Sequence, residues 1–225
     1  MNRTLLPLLC ALALYSSALP AAETRDLLLI AGQSNAVGYN AKPSELPADE
    51  ADKRILFWWR TGDPPPDEFD TTSGGKWTHL QPQPKGHPMD RSKAPRQYGN
   101  FAEAEGGFGP EIGFARALFA QEKKPLAIVK GAWSGTGMAQ DWNPADPGTG
   151  GSCYRALVAE TKAAVAAAKA QGITLRIRAL AWVQGESDAN ANAAPRYTQA
   201  LGDMIAALRK DLGAPQLIAL IAVNT

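Results

Sequence analysis

The sequence is poor in the residues that metal and thiol chemistry require. It holds two histidines, His79 and His87, and two cysteines, Cys10 and Cys153. Metal sites need clustered His, Cys or carboxylate ligands at close spacing. No such cluster is legible, so no metal and no other cofactor is expected. Cys10 lies in an N-terminal apolar segment, which leaves Cys153 alone in the body of the chain and excludes an intrachain disulfide there. With no histidine near it in sequence, Cys153 reads as a packed, inert thiol. The net charge of +1 offers neither a basic groove for nucleic acid nor a patch for a membrane surface. No apolar run reaches the length of a membrane-spanning helix. The segment after the first apolar run, Ala31-Gly32-Gln33-Ser34-Asn35-Ala36-Val37-Gly38, lacks both the G-x-G-x-x-G spacing and the Lys-Ser/Thr ending of phosphate-binding loops.

What is present starts with a leader. Arg3 supplies a positive start, Leu5 to Leu19 is apolar apart from Pro7 and Tyr15-Ser16-Ser17, and small residues follow at Ala21 and Ala22. That order reads as a secretory signal peptide over 1–21, with export to the periplasm or beyond, and a single domain over 22–225. Loss of Arg3 brings the remaining chain close to neutrality. Hydrophobic residues make up 45% and charged residues 20% of the 225, enough for one domain with a buried core.

Along that domain, short apolar runs alternate with helical patterns. Leu27 to Ala31, Ile55 to Trp59, Leu126 to Val129, Ile173 to Val183 and Leu217 to Val223 read as strands. Pro110 opens a helix with Ile112, Ala115 and Phe119 on one face. Ser152 is expected to cap an Ala-rich helix closed by Gly172, and Pro195 to Leu212 is a helix ending at Gly213. The alternation predicts an α/β fold: a central parallel sheet covered by helices on both faces, a three-layer sandwich. Such sheets put their sites at the carboxyl ends of the strands. The three most unusual segments, Gly32–Gly38, Lys130–Trp142 and Gln184–Asp188, each follow a strand and are expected to converge. A Pro- and Gly-rich stretch from Thr61 to Gly109 is either a wall beside the site or an inert insertion. Trp133 and Trp142 either line a sugar-binding wall or pack the loop that carries them. Ser34, at a strand end, is either a helix cap or a nucleophile held as on a strand-to-helix elbow.

Four separated motifs decide the reading of Ser34. They are Gly32-Gln33-Ser34-Asn35-Ala36-Val37-Gly38, Phe108-Gly109-Pro110-Glu111-Ile112-Gly113-Phe114-Ala115, Lys130-Gly131-Ala132-Trp133-Ser134-Gly135-Thr136 and Trp182-Val183-Gln184-Gly185-Glu186-Ser187-Asp188. In this order the chain resembles the carbohydrate-esterase branch of the SGNH hydrolases, the sialate O-acetylesterase and acetylxylan esterase-like domain. The resemblance implies a flavodoxin-like sheet, no cofactor, and an acetylated carbohydrate as partner. It implies Ser34 as nucleophile, with its own N–H and that of Gly135 as oxyanion donors and the Gln184 side-chain amide as a third. Glu186 would belong to the charge network and Asn35 would brace the turn at the substrate side.

The sequence departs from that family in two places. Ser134 stands where the family has glycine. More seriously, the family's Asp-x-x-His near the C-terminus, source of the general base, is absent. A serine needs such a base within hydrogen-bond reach. Three explanations stand: the domain lacks its C-terminal end and the histidine lies beyond 225; His79 or His87 serves; or the protein is a non-catalytic, carbohydrate-binding relative.

Overall fold

The computed structural model describes residues 23–62, 69–70, 72–88, 101–146, 148 and 150–222. The expected signal peptide lies outside them. Strands β1 (Glu23–Gly32), β2 (Ile55–Gly62), β6 (Leu126–Trp133), β7 (Ile173–Val183) and β8 (Ile218–Ile221) pair in parallel. The two-residue β4 (Thr78–His79) adds to β2 in the antiparallel sense, giving the order β4-β2-β6-β1-β7-β8. The sheet is therefore mixed, where an all-parallel one was expected. The exception comes from the long Pro- and Gly-rich stretch, which returns along an edge of the sheet without a crossover helix. Two further short strands in that stretch, β3 (Phe69–Asp70) and β5 (His87–Pro88), pair with each other.

β1 is apolar without alternation because both its faces are covered. Leu27, Leu29 and Ala31 face a core shared with α3 (Ser152–Ala170) and α4 (Ala194–Asp211). Leu28 and Ile30 face a second core with Ile112 and Ala115 of α2 (Pro110–Glu122). The buried face of α3 carries Cys153, Tyr154 and Leu157 at its start and the small Ala164 and Ala168 toward its end. Helix α3 is not capped by Ser152 as expected. Gly151, in the left-handed conformation at φ 66°, is the N-cap, and Ser152 is the first helical residue. At the base of the sheet, Asp26 is buried and takes Arg176 Nε at 2.7 Å and Arg178 Nη1 at 2.7 Å. The β1–β7 register slips between Leu27 and Leu28, which gives β7 an extra residue here and lets both arginines reach one carboxylate. At the far edge, β8 leaves Ile218, Leu220 and Ile221 exposed. Among the described residues no helix is long and apolar enough to cross a membrane.

The registers fix where the loops emerge. Gly32 pairs with Ala132 on one side and Val183 on the other, so the chain leaves β1, β6 and β7 at the same level. Gly32 has φ 145°, and a Cβ there would sit 1.9 Å from the Val183 carbonyl oxygen. Gly32→Ala is expected to destabilise the fold by about 3 kcal/mol, read as a lower urea midpoint with an unchanged slope.

Candidate active site

Three loops meet at the carboxyl edge of β6, β1 and β7, as the sequence predicts. Ser34 opens a four-residue helix, α1 (Ser34–Val37), which contacts both β6 and β7. Gln33 precedes it, buried, with its N–H on the Val183 carbonyl at 3.0 Å and its Oε1 facing the Gly185 and Ser187 N–H groups at 3.4 and 3.3 Å. These contacts lash the start of α1 to the loop after β7. Gly38 ends the helix in the left-handed conformation at φ 82°. Asn35 Nδ2 donates to Glu186 Oε1, so the expected brace and the expected carboxylate meet each other across the site.

Ser34 is half-buried and Gly135 is exposed. Among the described residues, neither Ser34 N–H nor Gly135 N–H donates to a backbone carbonyl. Gly135 has φ 72°, and a Cβ there would meet nothing within 4 Å. Its glycine is thus required by backbone conformation and not by crowding.

Gln184 is buried, and its Nε2 donates to Thr136 O at 3.0 Å and to Asp188 Oδ2 at 2.6 Å. Both amide hydrogens are spent inside the protein, with neither left for a substrate oxygen. Asp188 also receives the Met138 N–H, at 3.2 and 3.0 Å from its two oxygens. Gln184 and Asp188 therefore hold the loop after β6 against the loop after β7. Asp188 was not singled out from the sequence; its place as last residue of the fourth motif is the one signal it carries there.

The tryptophans do not form a wall. Trp133 and Trp142 are 0% exposed. Their ring centroids lie 5.5 Å apart, and Trp142 meets Trp182 edge-on at 4.7 Å. Trp142 Nε1 donates to Thr136 Oγ1 at 3.0 Å. The loop from β6 to α3 needs an apolar core of its own, and these rings supply it, so no face remains for a sugar. Tyr197 of α4 receives Trp182 Nε1 at 3.0 Å and donates to Gln184 O at 2.7 Å. Burial raises its phenol above the ordinary range, which keeps it protonated as that donor. Cys153 is buried and free, and burial pushes its thiol well above the ordinary range, as the inert reading requires.

His79 cannot serve Ser34. It pairs with Leu56 near the start of β2, which aligns through Ala127 with Leu27, well below Gly32 on β1, and β4 lies beyond β2 and β6 from β1. Rise per residue and strand spacing put it on the order of 20 Å from the site. The His87 side chain lies outside the described residues. A shallow cavity of about 250 Å³ adjoins the site, lined by Gln184, Gly185, Glu186, Tyr197, Ile221 and others.

A family model for "Carbohydrate esterase, sialic acid-specific acetylesterase" matches residues 24–224. The chain belongs to this carbohydrate-esterase family. No curated protein matches it significantly. Among solved structures, a protein from Arabidopsis thaliana aligns with TM-score 0.60 at 20% identity, over 88% of this chain and 73% of its own. A novel carbohydrate acetylesterase from Xanthomonas citri aligns with TM-score 0.54 at 19% identity, over 87% and 40%. NanS aligns with TM-score 0.51 at 20% identity, over 87% and 64%. At these identities the likeness is one of fold, and the chain spans less than two thirds of the last two.

Within this carbohydrate-esterase domain the buried rings are a stability element. Trp142→Ala is expected to cost about 3–5 kcal/mol, measured by denaturant titration. A normal midpoint would mean the ring is not packed as described.

Proposed function

We propose that this protein is a serine esterase that removes O-acetyl groups from a carbohydrate, acetylxylan, sialic acid or a similar acetylated glycan, through an acyl-enzyme. The observation that supports this reading is that the backbone N–H groups of Ser34 and Gly135, on loops that leave the sheet at one level, donate to no backbone carbonyl among the described residues. Ser34 Oγ attacks the ester carbonyl, and the oxygen becomes an anion held by those two donors. Such aimed donors stabilise the transition state more than the ground state, and each is worth about 3 kcal/mol. Gln184 and Asp188 keep the Gly135 loop in place, and Asn35 with Glu186 fixes the turn after the nucleophile. The intermediate collapses by breaking the bond to the sugar oxygen, which leaves as the alcohol with the proton that the general base took from Ser34, and water then hydrolyses the acyl-enzyme to acetate and restores the Ser34 hydroxyl. The N-terminal leader supports export, which suits a polymeric or surface glycan as substrate.

The reaction needs a general base on Ser34, and the assay asks whether the chain has one. The chain and its Ser34→Ala variant are compared for hydrolysis of p-nitrophenyl acetate and for acetate release from acetylated xylan and from O-acetylated sialic acid. Ser34→Ala is expected to lower every rate by at least ~1000-fold, and the faster natural substrate identifies the sugar. Turnover indifferent to Ser34 sinks the nucleophile assignment. Absence of turnover in a folded protein of full natural length that binds glycan equally well with and without Ser34→Ala replaces the esterase with a carbohydrate-binding relative.

A further inference from the structure

Behind the site lies a charged cluster with no contact to solvent. Lys130 Nζ on β6 and Glu111 Oε2 in the first turn of α2 are 2.9 Å apart, both side chains 0% exposed. Gln83, also 0% exposed and carried by the long stretch before α2, joins them. Its Oε1 accepts from Lys130 at 2.7 Å, and its Nε2 donates to Glu111 Oε1 at 3.0 Å. Glu111 Oε1 also takes the Gly109 N–H at 2.8 Å. The remaining bond leads to the candidate nucleophile: Lys130 Nζ donates to the carbonyl of Val37, the last residue of α1, at 2.9 Å. Next to that carbonyl, Gly38 approaches the 108–109 backbone so closely that a Cβ would sit 1.9 Å from Phe108 O.

A buried ion pair is a poor way to gain stability, because the desolvation of both charges offsets their attraction. Burial indeed lowers Lys130, against the raising influence of Glu111. A methionine would fill the space at less cost, but it could not hold a backbone carbonyl. α1 is one turn long and too short to be stable by itself. The carbonyl of Gln33, the residue before it, accepts the Ala36 and Val37 N–H groups, Ser34 O accepts the Gly38 N–H, and the Gln33 side chain lashes its start to the loop after β7. The Lys130 ammonium is the tie at its other end.

We propose that Lys130, held by Glu111 and Gln83, is a positioning residue that clamps the C-terminal end of α1 and thereby sets the position of Ser34 Oγ and its N–H. This rests on the reading of Ser34 as nucleophile. The clamp acts through the Val37 carbonyl and touches no substrate.

Lys130→Met alone strands the Glu111 charge in the core and risks unfolding, so the informative variant is Lys130→Met with Glu111→Gln. It removes both charges and retains an acceptor for the Gly109 N–H. Glu111→Gln alone keeps the Lys130 donor. Amide hydrogen exchange of α1 and the rate of Ser34 labelling by a fluorophosphonate are measured for wild type and both variants, beside their melting temperatures. In a double variant that remains folded, exchange at Val37 and Gly38 is expected to speed up at least ~10-fold while Leu27 to Ile30 stay protected. Labelling is expected to slow by about 100-fold, the scale of a small misplacement of a reacting group. Glu111→Gln alone leaves the Lys130 amine, which still donates to the Val37 carbonyl when neutral, and is expected to slow labelling at least ~10-fold less than the double variant does. A folded double variant that exchanges and labels as wild type does overturns the clamp. A folded wild type of full natural length that the phosphonate leaves untouched overturns the nucleophile reading, and the purpose given to the clamp with it.

Discussion

The pairing of β1 with β6 on one side and β7 on the other is the constraint on which the site depends. Parallel strands must each be followed by a connection that leaves at the same end of the sheet. Gly32, Ala132 and Val183 lie at one level. Ser34, Gly135 and Gln184 therefore emerge together although they are far apart in sequence. The space above Gly32 is so narrow that β7's carbonyl occupies the position of a missing Cβ. A slip of one residue in either pairing would part Ser34 from the loop carrying Gly135, and would also turn each apolar side chain of β1 toward the wrong core.

Around this edge the polar groups are spent mainly on holding loops. Gln33 ties the start of α1 to the loop after β7, Gln184 and Asp188 tie that loop to the one after β6, and Tyr197 ties α4 to Gln184. Buried polar atoms are costly unless partnered, so each of these side chains is committed to one arrangement. The backbone N–H groups of Ser34 and Gly135 lie in loops that these side chains hold in place. On the proposed reading that fixing serves the reaction, since donors that must reorient during reaction lose much of their effect.

Beneath the polar layer lies an aromatic one. Trp133, Trp142 and Trp182 stack under the loop from β6 to α3, and Trp142 shares a hydrogen bond with Thr136. The loop is thus a packed structure whose outward surface is polar and whose inner surface is apolar. Its relation to the solved carbohydrate acetylesterase from Xanthomonas citri is one of fold at 19% identity. The chemistry at this edge therefore has to be argued from the residues of this chain.

The strands were legible because their two buried faces leave continuous apolar runs, and Ile173–Val183 is bounded in the structure as its sequence suggests. Three of the four motifs were legible because each breaks such a run with glycine and polar residues at a strand end, where a parallel sheet puts its sites, and the other opens helix α2 at Pro110. The two-residue strand β4 was not, since a short antiparallel edge has no periodicity of its own. Sequence by itself determined the strand–helix alternation and the family, because these follow from local pattern and composition. Only the tertiary structure decided that Trp133 and Trp142 are core, that both Gln184 amide hydrogens are engaged, that His79 is remote from Ser34, and that Lys130, Glu111 and Gln83 form one buried cluster. Each of those facts depends on which distant segments share a volume from which water is excluded, and no local pattern records that.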